Sequence, residues 1–226
     1  MLDREREQVA GACRRLAAEG LVLGTAGNVS ARSDQAVAIS PTGAALADLT
    51  PEQVTIVDLE GRVMAGDLEP TSELDLHLGI YGRLPAGAVV HTHAPMATAL
   101  SCVLDELPCV HYQMLLLGGS VRVAPYATFG TPELAESVIR TLEGRAAALM
   151  ANHGAIAHAG DADQAVELSL LLEWACGVYW HAAMIGTPRA LDSDQRAAVI
   201  AAAVERGYGA TKPVRAESRK QEGRRG

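Results

Sequence analysis

Between the strand-like runs 28–32 and 36–40 lie only three residues, and a Glu60-Gly61 turn carries the run 54–58 into Val63. Links this short join antiparallel neighbours, because a parallel pair needs a crossover of a dozen or more residues. The runs 146–151 and 154–158, folded around a His-Gly turn, repeat the pattern. Helical signals are interspersed. Val9, Cys13, Leu16 and Ala17 fall on one face of a helix over 3–19 that Gly20 stops. Ser72 reads as the N-cap of a helix over 73–83, Pro95 opens a second after the strand-like run 89–93, and Thr131-Pro132-Glu133 opens a third. A long helix covers 161–185, and a last one runs from Ser193-Asp194 to Gly207. The pattern predicts an α/β chain with a mixed or largely antiparallel sheet and helices packed on it, not a doubly wound parallel sheet.

Composition narrows the function classes. The 226 residues carry a net charge of −8, with 49% hydrophobic and 20% charged residues, as in ordinary soluble globular proteins. From Lys212 the chain holds six basic and two acidic residues, so residues 1–211 alone stand at −12. We read 1–211 as a single domain and 212–226 as a basic, mobile tail. An acidic body argues against nucleic-acid and membrane-surface binding, which leave a basic footprint. Aromatics make up 4% of the chain, too few for a base-stacking platform. The cysteines Cys13, Cys102, Cys109 and Cys176 are scattered and read as small buried thiols of a cytoplasmic protein. The charged start Met1-Leu2-Asp3-Arg4-Glu5 is not a secretory leader, and the apolar run around 168–172 is broken by Glu167 and Glu173, so no bilayer span is expected.

Chemistry concentrates in the histidines. His91 and His93, at i, i+2 on a strand-like run, project from one face, where two imidazoles can meet one ion. His153 ends another strand, and Gly154 permits a tight turn that aims its ring into a cleft. Three imidazoles with an open position describe a catalytic zinc site rather than a closed structural one. A pair at i, i+2 also arises by chance. His77, His111, His158 and His181 follow no such pattern and read as surface or helix-packed residues. A metallo-β-lactamase-like H-x-H-x-D fails at Pro95, and neither H-E-x-x-H nor P-C-x-x-C occurs.

Pro70-Thr71-Ser72-Glu73 places two hydroxyls and a carboxylate at a helix start. Capping alone accounts for such a string, yet a helix N-terminus beside hydroxyls also cradles phosphate. The Gly27-Asn28 and Pro41-Thr42-Gly43 turns add backbone N–H groups of the kind that form anion nests. A metal beside a phosphate site suggests enediolate chemistry, in which the cation polarises a carbonyl and a carboxylate moves the α-proton.

Five strings occur in one order: Gly24-Thr25-Ala26-Gly27-Asn28-Val29-Ser30, Ser40-Pro41-Thr42-Gly43, Pro70-Thr71-Ser72-Glu73, Val90-His91-Thr92-His93-Ala94 and Asn152-His153-Gly154. With His111-Tyr112, the stretch 124–131 and Tyr208-Gly209, they resemble the class II aldolase and adducin-head family, in its L-fuculose-1-phosphate aldolase branch, over about residues 5–210. The resemblance implies a three-layer α/β/α sandwich around a largely antiparallel sheet. It implies one Zn2+ per subunit on His91, His93 and His153, with Mn2+ or Co2+ as alternatives. Glu73 would transfer the proton and occupy the metal when substrate is absent. Gly27, Asn28, Thr42, Gly43, Thr71 and Ser72 would surround the phosphate. Tyr112, reaching in from a neighbouring subunit, would handle the aldehyde-side proton, and Phe129 and Tyr208 would border the aldehyde pocket. The implied assembly is a homotetramer with sites between subunits, and the implied reaction is cleavage of a phosphorylated ketose to dihydroxyacetone phosphate and an aldehyde. Thr71 stands where many relatives have Ser, and the basic tail extends beyond them. Sugar-phosphate 4-epimerase, methylthioribulose-phosphate dehydratase and tetronate-phosphate decarboxylase reactions would reuse the same groups. A non-catalytic adducin-head-like module would not need the full histidine set.

Overall fold

Strands β1 (Asn28–Ser33) and β2 (Ala36–Ile39) form the expected hairpin, with Ser30 opposite Ile39 and Ser33 opposite Ala36. They belong to a computed structural model that describes residues 1–208; the remainder, including the basic stretch 212–226, lies outside the described residues. Strands β3 (Thr55–Asp58) and β4 (Val63–Ala65) extend one edge of the sheet. On the other side of β1 come β5 (Ala88–Thr92), β9 (Gly154–Ala159), β8 (Ala147–Met150), β7 (Val121–Ala124) and the short β6 (Glu106–Leu107). The order is β4-β3-β2-β1-β5-β9-β8-β7-β6, and every pairing is antiparallel except β7 with β8. The one parallel pair is joined by a helical crossover, α4 (Pro132–Thr141), as a parallel link requires.

Alternation along the central strands builds two cores. Val29 and Ala31 of β1, Val90 of β5 and Ala157 of β9 are buried with residues of α1 (Asp3–Ala18), α3 (Pro95–Ser101) and α5 (Ala162–Ile185). Val37, Val89 and Ile156 point the other way, toward Ile80 of α2 (Leu74–Arg83) and Val138 of α4. The layers are therefore α/β/α around a largely antiparallel sheet. Each fully buried aliphatic contributes roughly 1.5–3 kcal/mol.

Helix starts follow their caps. The side chains of Thr131 and Asp161 accept from Leu134 N and Gln164 N, and Pro95 opens α3. Ser72, expected as the cap of α2, is not: Glu73 is the N-cap, without a side-chain cap bond, because its carboxylate is engaged elsewhere. Thr71 Oγ1 instead accepts from Glu73 N at 3.3 Å. Cys102 is exposed, unlike the buried Cys13, Cys109 and Cys176. Glu167 and Glu173 do not interrupt α5. It runs 24 residues and is, by length and composition alone, apolar enough to cross a membrane. Here one face, with Ala165, Val166, Ser169 and Leu172, packs into the core. Glu173 is used locally, its two carboxylate oxygens accepting from Met96 N and Ala97 N at the start of α3.

These elements form one compact unit, Met1–Leu191. A second unit begins at Asp192 and contains α6 (Ser193–Arg206), started by a reciprocal Asp192–Gln195 capping box and ended by Gly207 at φ +57°.

Candidate active site

The two central strands and one hairpin bring the histidines together. His91 lies on β5 with its ring toward the α2 side of the sheet; His93 follows the strand's last residue. His153 sits in the β8–β9 turn, where Asn152 adopts φ +55°. Gly154 is required there: a Cβ would overlap the Thr92 carbonyl oxygen and press on the His93 ring at 3.3 Å. Gly27, at φ +91°, similarly lets its loop close on β5, since a Cβ would lie 2.8 Å from His91 O.

The ring nitrogens of His91, His93 and His153 converge within 4.8 Å of one another. His91 Nδ1 lies 2.9 Å from Ala155 O, and a carbonyl only accepts, so Nδ1 carries the hydrogen and Nε2 presents a lone pair. That Nε2 is 3.0 Å from His93 Nε2 and 3.2 Å from Glu73 Oε2. Glu73 Oε1 is 3.6 Å from His153 Nε2, and it is buried without a hydrogen-bond partner among the described residues. Burial lowers the imidazole pKa at all three positions, for His153 to about 4, and the mutual proximity of the rings adds to this. Burial alone would raise Glu73. The positive charge of the His91 ring when it is protonated and the hydrogen bond from Asn28 outweigh it and hold the carboxylate below its ordinary range. Three neutral imidazoles, an anionic oxygen with no donor, and a tautomer fixed by a backbone carbonyl together fit a divalent cation.

Beside this cluster opens a cavity of about 370 Å³. Thr42 N donates to Glu69 O and Thr71 N to Ser40 O, with Pro41 bridged to Pro70, so the 41–43 turn is held against the start of α2. Gly27, Asn28, Thr42, Gly43, Thr71 and Ser72 all line the cavity, as do Glu73, His93 and His153. His91 is fully buried behind them. Phe129 lines the cavity as well, exposed at its rim. Tyr112 does not. It begins a 3₁₀ helix (Tyr112–Leu117), with its ring 4.5 Å from that of His111, which in turn meets Trp174 at 4.8 Å. Tyr208 follows Gly207 in the second unit.

Three participants escaped the sequence reading. Tyr126 and Asn152 line the cavity. Both lie within strings quoted for the resemblance, and Tyr126, three residues before Phe129, was the more legible. His77 is the third. It is not a surface residue: it is fully buried, with both ring nitrogens hydrogen-bonded.

Comparison with known proteins defines the class. Residues 7–180 match the family described as Class II Aldolase and Adducin N-terminal domain. The chain belongs to that family, and within it to the lyases. It is 39% identical over 198 residues to 5-deoxy-D-ribulose 1-phosphate aldolase of Bacillus thuringiensis serovar kurstaki, covering 86% of this chain and 93% of the relative. It is 38% identical over 197 residues to a 5-methylthioribulose-1-phosphate/5-deoxyribulose-1-phosphate aldolase of Rhodospirillum rubrum, covering 86% and 89%. The solved structure of an L-fuculose 1-phosphate aldolase superposes with a TM-score of 0.84 at 32% identity, covering 88% of this chain and 95% of that one.

Proposed function

We propose that this chain reversibly cleaves a ketose 1-phosphate between C3 and C4, giving dihydroxyacetone phosphate and a short aldehyde. The observation that carries the reading is the Glu73 carboxylate, set between three imidazoles at the wall of a cavity rich in hydroxyls and turn backbone. A divalent cation held by His91, His93 and His153, with zinc the first candidate, would supply Lewis acidity toward the C2 carbonyl and C3 hydroxyl oxygens. Thr42, Thr71 and Ser72 hydroxyls, the Gly27 and Gly43 turns and the Asn28 amide bind the phosphate. No basic side chain is needed, since N–H groups and hydroxyls suffice for one small anion.

Glu73 returns the proton to C3 after the C3–C4 bond breaks, and in synthesis removes it. In synthesis the ionised carboxylate is the base that takes the C3 proton, and in cleavage it first takes up a proton from solvent and delivers it to C3. Tyr112, contributed by a neighbouring copy in a homotetramer, handles the C4 hydroxyl proton, and Phe129 borders the aldehyde end. The relatives act on ketose 1-phosphates with unlike far ends, so Phe129 and Tyr126, both at the cavity wall, are the residues to set the preference.

A panel tests this: L-fuculose 1-phosphate, 5-deoxy-D-ribulose 1-phosphate and 5-methylthioribulose 1-phosphate against pentulose 5-phosphates. Release of aldehyde and dihydroxyacetone phosphate from one or more 1-phosphates, with none from 5-phosphates, is the expected result. Conversion of a 5-phosphate without aldehyde release would instead indicate epimerase-type chemistry on the same groups.

A further inference from the structure

Helix α2 and its N-cap present Glu73, His77 and Tyr81 at intervals of four residues, and β1 presents Asn28, Ser30 and Arg32 at intervals of two. Four residues of helix advance about 6 Å, and two of strand about 6.6 Å. The two rows therefore run in step, and they interdigitate. Asn28 Nδ2 donates to Glu73 Oε2 at 2.9 Å, and Asn28 Oδ1 lies 2.5 Å from His77 Nε2. His77 Nδ1 lies 2.6 Å from Ser30 Oγ, which lies 2.7 Å from the Tyr81 hydroxyl. Arg32 Nη1 closes the row on the Tyr81 carbonyl oxygen at 2.9 Å.

The direction of every bond is forced. An ionised carboxylate only accepts, so the Asn28 NH2 group must face Glu73 and its oxygen must face His77. The oxygen needs a donor, so His77 Nε2 carries the hydrogen. In the neutral ring Nδ1 is then a lone pair that accepts from Ser30, whose oxygen accepts from Tyr81. Burial supports this polarity: it pushes the His77 imidazole down to about 3 and raises the Tyr81 hydroxyl, so the ring stays neutral and the phenol protonated. A flipped Asn28 would set its oxygen against the Glu73 carboxylate and turn an acceptor toward the cavity.

We propose that His77 is a positioning residue for the catalytic carboxylate: held by Ser30 and Tyr81 as the neutral Nε2–H tautomer, it locks the Asn28 amide with its NH2 group toward Glu73 and the phosphate end of the cavity. The proposal rests on the reading of Glu73 as the proton-transfer group. It extends that reading to three residues that do not line the cavity: His77, Ser30 and Tyr81. Satisfying buried polar groups is not reason enough for them, since an apolar side chain at 77 would remove the need for the whole row.

The experiment has two arms, both on the full metal-loaded chain. Long-range 1H–15N spectra of 15N-histidine-labelled protein at pH 7 are expected to show His77 as the Nε2–H tautomer, with Ser30→Ala releasing it to a mixture. Kinetics then compare His77→Gln, which keeps an N–H near the Nε2 position, with His77→Phe, which does not. Gln should retain most of kcat, whereas Phe should lose about 10–100-fold in kcat/KM at unchanged metal content. An Nδ1–H tautomer in the wild type, or equal losses in Gln and Phe, overturns the proposal. If His77→Phe does not fold, the tautomer of the wild type and of Ser30→Ala decides. A wild-type chain that cleaves no ketose 1-phosphate overturns the functional reading alone, because the tautomer still tests the lock.

Discussion

His91 donates from Nδ1 to the carbonyl oxygen of Ala155, 2.9 Å away on the neighbouring strand. The bond fixes both the tautomer and the ring plane, so that Nε2 faces His93 and Glu73 before any ion arrives. A preset donor set of neutral imidazoles predicts tight metal binding. Dialysis against a strong chelator should abolish aldol cleavage, and one equivalent of Zn2+ per chain should restore it, with Mn2+ and Co2+ compared alongside because three imidazoles suit all of them. Elemental analysis together with activity provides the check. Full activity in metal-stripped protein would remove the cation from the reading.

Glu73→Gln separates proton transfer from metal holding. Gln keeps an oxygen to accept from Asn28 Nδ2 and nearly the same volume, but it cannot carry the proton. Turnover should fall by about 10²–10⁴-fold, while the bound metal, still held by three histidines, remains largely in place. Steady-state kcat and metal content measured on the same preparation would show it, and near-wild-type turnover would exclude Glu73 from the chemistry.

How far the sequence could be read depends on the kind of signal. Hairpin spacing announced the antiparallel sheet, because the two residues between Ser33 and Ala36 leave no room for a crossover, and Thr131-Pro132 and Asp161 announced helices through caps that act locally. The convergence of His91, His93 and His153 was legible only in part: the i, i+2 spacing is local, but His153 arrives by the β5–β9 pairing, 60 residues away. Ser72 was misread because a hydroxyl before a helix is the ordinary cap, and only the tertiary pull of Asn28 on Glu73 displaces it. His77 was invisible as a partner. Its spacing to Glu73 and Tyr81 is helical and its mates lie on β1, so the pattern exists only once helix and strand are laid side by side.

Gly154→Ala tests the turn that delivers His153. The added Cβ would collide with the Thr92 carbonyl oxygen, a backbone atom of β5 that cannot swing aside, and would crowd His93. Overpacking of this kind costs about 1–3 kcal/mol, and here the displacement falls on two of the three imidazoles. The variant should melt at lower temperature and bind less zinc. Calorimetry with and without zinc would separate the effects, and an unchanged melting temperature in the metal-free protein would show that the turn has room.

Buried neutral, His77 also makes stability depend on pH. Its folded value, about 3, lies below the ordinary 6.5. The unfolded chain therefore takes up a proton that the folded chain refuses as pH drops below about 6.5. This contribution to stability is complete above that pH and is lost progressively toward pH 3, at about 1.4 kcal/mol per pH unit. His91, His93 and His153 add slopes of the same sign, so the comparison must be made between variants under one set of metal conditions. Urea unfolding of wild type and His77→Gln at pH 7, 6, 5 and 4 should give curves that converge as pH falls, the wild type losing stability faster. Parallel lines would mean that His77 titrates alike in the folded and unfolded chains.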